Sequence, residues 1–186
     1  MEKLAGVLDY GPQDMADSFR AIRKETVTIA EEIGEENYGF SPAAEWRTVA
    51  QLLVHMAMAP KVQQRFHSIN QYDKTQAAEL TRFMATVPGE EQTLRTKGQI
   101  VALLRENGEE FAQWLESRTP DFLDERVAVE PGKTRTRFEV LLRVKEHEIH
   151  HRAQLMLIER LVGIVPHTTR ERGVRAAAAR SQQASS

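Results

Sequence analysis

The chain has 186 residues and contains no cysteine. This absence excludes disulfide bonds, thiolate metal ligands and a cysteine nucleophile, so any metal site would have to use His, Asp or Glu side chains. No uninterrupted apolar run approaches the ~18 residues of a membrane span, and the first ten residues, a short leader, lack the apolar run of a signal peptide. We therefore expect a cytoplasmic protein with no membrane partner.

The chain also has little net charge. Its formal charge at pH 7 is -2 and its pI is about 6.3, which gives no reason to expect a nucleic-acid partner. We find no Ser-His-Asp arrangement, phosphate loop or dinucleotide fingerprint, so no catalytic or cofactor-binding residue is assigned on that basis. The length and the 41% hydrophobic content suit one soluble domain with a sizeable core.

Apolar residues at helical spacing predict four amphipathic helices. Three of them start at a Thr followed three residues later by Gln or Glu, which is the pattern of a capping box. The predicted segments are Pro12 to Gly34, Thr48 to about Ile69, Thr96 to Thr119, and about Arg137 to Gly163. Together they predict an all-α fold, a four-helix bundle with long connectors over residues 1–166. Residues 167–186 form a low-complexity tail that is compatible with a helix, with disorder or with docking on a partner.

Several local features lead to narrower expectations. Trp46, just before the second helix, is expected to be a packing anchor, and Pro60 is expected to kink that helix or end its first segment. A short helix is expected at residues 75–84, followed by a break at residues 87–90, where Pro and Gly are adjacent. His67 lacks any partner signal and is expected to be exposed.

The fourth predicted helix carries two histidines in its apolar stripe. His147 and His151 are four residues apart and therefore share one face. Neutral imidazoles in a core need hydrogen-bond partners, or they can share a divalent metal, for which HxxxH on a helix is a known ligand spacing. Both interpretations remain open at this point. His150 lies ~90° away from that face and is not expected to be a ligand.

His55 flanks the apolar stripe of the second predicted helix, and alone it indicates little. Helical bundles, however, build metal sites from side chains on facing helices. His55 could therefore meet His147 and His151 to give three nitrogen ligands. Three acidic residues of the fourth helix, Glu146, Glu148 and Glu159, lie away from the histidine face and are given no catalytic role.

Two stretches of the chain resemble motifs of the DinB/YfiT-like family of metal-dependent proteins. They are residues 46–55 (WRTVAQLLVH), a loose match, and residues 147–155 (HEIHHRAQL), a more specific one that continues to Gly163 and Pro166. The resemblance covers roughly residues 12–166, with Ala153 where the family often has Gly. It implies a four-helix bundle, usually dimeric, with a divalent metal on His55, His147 and His151.

The resemblance also implies a function acting through that metal. Zn²⁺ and Ni²⁺ suit imidazole ligands best, while Fe and Mn are less suitable. The first hypothesis is an enzyme acting on a small molecule, either a transferase that uses a low-molecular-weight thiol as cosubstrate or a hydrolase. The second is a non-catalytic, stress-related metal-binding bundle, and the third is an interaction module whose histidines bind nothing.

The fourth helix has a second apolar stripe nearly opposite the histidines. It comprises Phe138, Leu142, Ile149 and Met156. A helix that is apolar on two faces needs two partners, and most soluble oligomers are two-fold dimers. We therefore expect a homodimer, unless the connectors cover this second face.

Overall fold

The computed structural model describes residues 10–69, 74–130 and 132–184. Nearly all of the predicted leader lies outside these ranges. The described residues form seven α-helices: α1 (Pro12–Glu32), α2 (Val49–Ser68), α3 (Lys74–Gln92), α4 (Lys97–Glu116), α5 (Pro120–Asp124), α6 (Arg137–Leu161) and α7 (His167–Ala184). A short 3-10 helix spans Glu35–Asn37, and two strands, β1 (Arg126–Glu130) and β2 (Lys133–Thr136), pair antiparallel. No helix in the described ranges has the length and apolar content needed to cross a bilayer.

The helix starts follow the predicted capping boxes. Thr48 with Gln51, Thr96 with Gln99, and Thr136 with Glu139 each exchange hydrogen bonds between side chain and backbone. These bonds satisfy N–H groups that the first turn of a helix leaves without a partner. The capping pattern therefore fixes where α2, α4 and α6 begin.

Four long helices, α1, α2, α4 and α6, form the bundle. Helix α1 packs against α4 and α6, and α2 packs against the same two helices, so α1 and α2 lie on opposite corners. Helix α3 packs against α2 and has no buried residue. The predicted all-α bundle is confirmed, with α3, α5, α7 and a small hairpin added to it.

The core consists of two apolar clusters. The first includes Ile29, Leu53, Met56, Leu104, Leu155 and Ile158. The second includes Phe19, Phe111, Leu115, Leu141 and Val144. Along α1, α4 and α6 the two clusters occupy opposite ends of the bundle, and the polar residues considered below lie between them.

The predicted break at residues 87–90 is wrong, because α3 continues through Pro88 and Gly89 to Gln92. Contacts after the proline tie this last part of the helix to the start of α2. The Arg47 guanidinium binds the Glu91 carboxylate, and the amide of Gln51 donates to Gln92 Oε1 at 3.0 Å. Tertiary contacts thus outweigh the local preference of Pro and Gly.

Two further expectations are wrong. His67 is buried, because Trp114 and Phe122 pack around its ring and Arg137 donates to its carbonyl oxygen at 2.8 Å. Trp46 is 51% exposed and does not anchor the core. Helix α2 also continues past Pro60 without ending. The side chain of Arg23 donates to the Met56 carbonyl oxygen, which proline leaves without a backbone donor.

The segment predicted as a tail forms helix α7. Its first turn lies against the bundle, where His167 is buried, Arg170 pairs with Glu32 of α1, and Arg160 donates to Thr169 at 3.1 Å. Residues 170–183 are exposed. The division between a domain ending at residue 166 and a tail remains a prediction.

Candidate metal centre

The bundle brings the three predicted histidines together. His55 extends from α2, and His147 and His151 extend from successive turns of α6. The Nε2 atom of His147 lies 2.9 Å from Nε2 of His55 and 3.1 Å from Nε2 of His151. Within the described residues, one nitrogen from each ring lies within 4.8 Å of the other two. This grouping is the one that the facing-helix geometry predicts.

The outer nitrogens of two rings have fixed partners. Nδ1 of His55 lies 2.8 Å from Glu91 Oε1, and Nδ1 of His151 lies 2.8 Å from Gln154 Oε1. Both partners are oxygen acceptors, so each Nδ1 must carry the proton and donate it. The Nε2 atoms of His55 and His151 are then left with lone pairs, and both point towards His147.

The central ring cannot satisfy this arrangement by itself. A neutral imidazole has one N–H, so Nε2 of His147 can donate to one neighbouring lone pair but not to both. Its Nδ1 atom is buried and has no hydrogen-bond partner among the described residues. A divalent cation among the three Nε2 atoms removes this conflict, because every lone pair then has an acceptor.

The spacing of the nitrogens fits such a cation. A tetrahedral ion held at ~2.0–2.1 Å by each imidazole places its ligand atoms ~3.3 Å apart. The observed separations of 2.9 and 3.1 Å are slightly shorter. The two separations are therefore close to those that such an ion would require.

The electrostatic environment keeps the rings of His147 and His151 neutral. Burial, followed by the nearby rings of His151 and His55, lowers the pKa of His147 to about 3. Burial also lowers the pKa of His151, although its hydrogen bond with Gln154 acts in the opposite direction. Metal binding requires deprotonated imidazoles, so these two rings have the protonation state of metal ligands at neutral pH.

Glu91 supports His55 from helix α3. Burial alone would raise the pKa of Glu91, but the hydrogen bonds from Arg47 and His55 outweigh it and lower the pKa below its usual value. The ionised carboxylate therefore holds the ring of His55 in one orientation and one tautomer. Such carboxylate–histidine contacts are typical of metal centres.

Two cavities reach the cluster from opposite sides of the Arg47–Glu91 pair, which lines both. The first, of about 510 Å³, has a lining of mixed polarity, with the polar side chains Gln51, Gln92, His151 and Gln154 beside Trp46, Leu52 and Ile158. The second, of about 460 Å³, is lined by His55 and His147 and by these apolar side chains: Ala59, Val62, Met84, Val87, Pro88 and Val144. Small molecules can thus approach the three rings through a cavity of mixed polarity and through an apolar one.

The other predicted positions fall as follows. His150 is exposed and outside the cluster, as expected. Glu146 is exposed, whereas Glu148 and Glu159 are fully buried away from the rings. Sequence reasoning missed Glu91, Arg47 and Gln154 as supporting residues. Only Gln154 carried a local signal, since it lies one turn beyond His151 on α6.

The sequence and the fold both match known proteins. Residues 9–183 match the sequence model of the DinB family. The structure is similar to the crystal structure of YjoA, a DinB-like protein from Bacillus subtilis, with a TM-score of 0.58 and 22% identity. The match covers 81% of this chain and 92% of that one. A comparison with curated proteins gave no match.

Proposed function

The chain belongs to the DinB family, and from this premise we propose that it is a divalent-metal-dependent enzyme that acts on a small molecule. His55, His147 and His151 are the proposed ligands. The observation that carries the proposal is the convergence of the three Nε2 atoms, two of which have their lone pairs fixed inwards by Glu91 and Gln154.

A site with three protein ligands leaves at least one coordination position for another molecule, as in catalytic zinc sites. A bound ion supplies Lewis acidity, which can activate a thiol, a water molecule or a carbonyl group. Zn²⁺ and Ni²⁺ are the proposed ions because both suit imidazole, with Fe and Mn as less suitable ones.

The apolar cavity is the proposed place for the body of the substrate. Met84, Val87 and Val144 provide its apolar wall beside His55 and His147. Arg143, one helical turn before His147, lines the same cavity and has no ion-pair partner among the described residues. This combination favours a small molecule with an apolar body and an anionic or carbonyl group directed at Arg143.

The cavity of mixed polarity is the proposed place for the second reactant. Its amide side chains, with Arg47 and Glu91, suit a hydrophilic thiol cosubstrate in a transferase or water in a hydrolase. A thiol would have to come from a cosubstrate, because the chain contains no cysteine.

A metal-loaded sample tests the function directly. The protein, purified without a metal-affinity tag and loaded with Zn²⁺ or Ni²⁺, is screened for thiol addition to electrophiles and for ester and amide hydrolysis. We expect activity that chelation abolishes and that His147→Ala lacks, whereas the matched variant His150→Ala keeps it. Equal rates for the metal-loaded protein and His147→Ala across the screen would contradict the enzyme proposal.

The alternative is a non-catalytic, stress-related metal-binding bundle. One observation favours it: the three ligands join α2 to α6, so a bound ion would cross-link two bundle helices. In that case, chelation would lower the melting temperature by many degrees, and no reaction would depend on the ion.

A homodimer is also proposed. Phe138, Leu142 and Met156 of the predicted stripe are partly covered by the core of their own chain. The apolar side chains of α6 that stay exposed are Ile149, Leu157 and Leu161. A second copy of the chain would cover them. Leu157→Glu should then convert the dimer into a monomer by light scattering without removing metal, and a monomeric parent would contradict the proposal.

A further inference from the structure

Arg23 of α1 contacts all three other bundle helices. Its side chain is 5% exposed, and its guanidinium makes two hydrogen bonds to Glu148 of α6, at 2.8 and 3.0 Å. It also donates to the backbone oxygen of Leu104 in α4 at 2.9 Å and to that of Met56 in α2 at 3.0 Å. These four bonds join α1, α2, α4 and α6 at one point between the two apolar clusters.

The carbonyl of Met56 is available because of Pro60. In an α-helix this oxygen accepts from the N–H four residues later, and proline has no N–H. The Nη2 group of Arg23 takes that place in the structure. The contact explains why α2 passes Pro60 without ending, since the oxygen that proline leaves unpaired has a partner from another helix.

The space that Arg23 occupies depends on Gly108 of α4. A Cβ atom at this position would lie 2.9 Å from Cγ of Arg23, closer than such atoms approach. Gly108 is also the residue whose N–H lies four positions after Leu104, the second backbone acceptor. Pro60 and Gly108 therefore form a seat for the guanidinium, one by freeing an acceptor and the other by leaving room.

The seat lies next to the histidine cluster. Met56 directly follows His55 in α2, and Glu148 directly follows His147 in α6. The guanidinium of Arg23 therefore bridges the two ligand-bearing helices one residue from a ligand on each side. A shift of α2 against α6 would break the bonds of Arg23 and separate the two Nε2 atoms together.

We infer that Arg23, seated by Pro60 and Gly108 and paired with Glu148, is a positioning residue for the metal centre. It fixes the height of α2 relative to α6 and thereby the separation of His55 from His147. This inference rests on the proposed metal ion for its function, but the position of the rings can be measured without any metal.

The chemistry of the pair favours positioning over stability. Taking a guanidinium and a carboxylate out of water is costly, and apolar side chains of similar volume are often as stabilising in such places. Directional bonds to three helices, in contrast, admit only one relative placement of those helices. An apolar replacement would keep the packing but lose this constraint.

The test removes the pair while keeping the core apolar. The double variant Arg23→Met with Glu148→Met is titrated with Co²⁺, whose visible spectrum reports coordination geometry, and is melted in parallel. We expect Co²⁺ to bind at least about tenfold more weakly, in the range found when outer residues of metal sites are changed, with an altered spectrum. The metal-free melting curve should remain cooperative.

Arg20→Met is the matched control. Arg20 lies on the same helix and pairs with Glu109 and Glu116 of α4, away from the ligands. This variant should keep the parental affinity and spectrum. If the double variant fails to fold, Gly108→Ala, which pushes against Cγ of Arg23, should weaken Co²⁺ binding several-fold. If the double variant folds, parental Co²⁺ affinity and spectrum in that variant would overturn the inference. If it does not fold, the same result in Gly108→Ala would overturn it.

A metal-independent measurement separates this inference from the proposed function. The rings of His55 and His147 have centroids 4.9 Å apart, so their carbon-bound protons should give a nuclear Overhauser effect in the metal-free parent. If the parent binds no metal, the proposed function fails. The positioning role still stands if this signal is lost in the double variant and kept in Arg20→Met, and it falls if the signal persists in both.

Discussion

Two polar clusters lie side by side in the bundle and differ in how their bonds are satisfied. Around Arg23, each hydrogen bond joins a donor to an oxygen acceptor on another helix. Around His147, two lone pairs face one central ring that can donate to only one of them, and its Nδ1 atom has no partner. The clusters are adjacent in α2 and in α6.

The difference indicates two kinds of role. A buried polar group with every bond made can hold helices in place without help from a ligand. Two buried lone pairs that compete for one N–H leave an acceptor without a hydrogen bond. This arrangement is costly unless a cation binds the lone pairs. We therefore interpret the Arg23 cluster as a complete structural element and the histidine cluster as a ligand set for a cation.

The largest expected effect comes from breaking the satisfied cluster on one side. Arg23→Met leaves the Glu148 carboxylate buried without its partner, which should lower the free energy of unfolding by ~3–5 kcal/mol. Urea unfolding measures it. Arg20→Met, which breaks only partly exposed ion pairs on the same helix, should cost ~1 kcal/mol or less. Equal losses of unfolding free energy in the two variants would show that the buried Arg23 pair stabilises the fold no more than a surface ion pair.

A smaller effect should come from the support of His55. Glu91→Gln keeps the size of the side chain but removes the charge that holds Nδ1–H, so metal affinity should fall ~10–100-fold. Isothermal titration of the metal-free protein with Zn²⁺ measures this. Glu79→Gln, which disturbs another α3–α2 ion pair, that with Arg65, is the control and should bind like the parent.

Acid should destabilise the fold through the histidine cluster. Burial first, and then neighbouring rings, lower the pKa of His147 to about 3, against ~6.5 in the unfolded chain. The unfolded chain therefore binds more protons between these values. The contribution of the buried, neutral His147 ring to the free energy of unfolding is present above pH ~6.5. It is lost as the pH falls towards the pKa of the folded state.

The direction of this pH dependence of stability can be checked with metal-free protein. The urea midpoint should drop between pH 7 and pH 5, and His147→Gln should show a smaller drop than the parent. Part of the drop should remain, because burial and Arg137 lower the pKa of His67 to about 3 as well. His150→Gln should behave like the parent. A midpoint that rises on acidification would contradict the assigned pKa shift.

The smallest effect should come from a region that touches neither cluster. Residues 170–183 are exposed, and the Arg170–Glu32 pair is a surface ion pair of small expected value. Truncation after His167 should therefore change the melting temperature by less than ~5 °C. A larger drop in melting temperature would show that α7 stabilises the bundle.

Periodicity and capping predicted the bundle helices and the shared face of His147 and His151, because these depend on residues a few positions apart. The same reasoning could not find the Arg23–Glu148 pair. Each residue looks like a surface charge in its own helix, and the two are far apart in sequence. Only the packed bundle shows that each charge has a partner and can be buried.

Glu91 was missed for a different reason. It follows Pro88 and Gly89, which together predict a break, and its contacts are with His55 of α2 and with Arg47 of the connector before α2. His67 was misassigned because α5 and Arg137, both distant in the chain, cover it. Local pattern thus predicted the shared face of His147 and His151, whereas a tertiary contact supplied Glu91, which orients the ring of His55.

The central claim is that the histidine cluster holds a divalent cation, and elemental analysis of protein purified without a metal-affinity tag tests it most directly. We expect about one Zn²⁺ or Ni²⁺ per chain, lost in His147→Ala and retained in Arg20→Met. A parent protein that is metal-free, folded and unable to take up either ion on incubation would contradict the account.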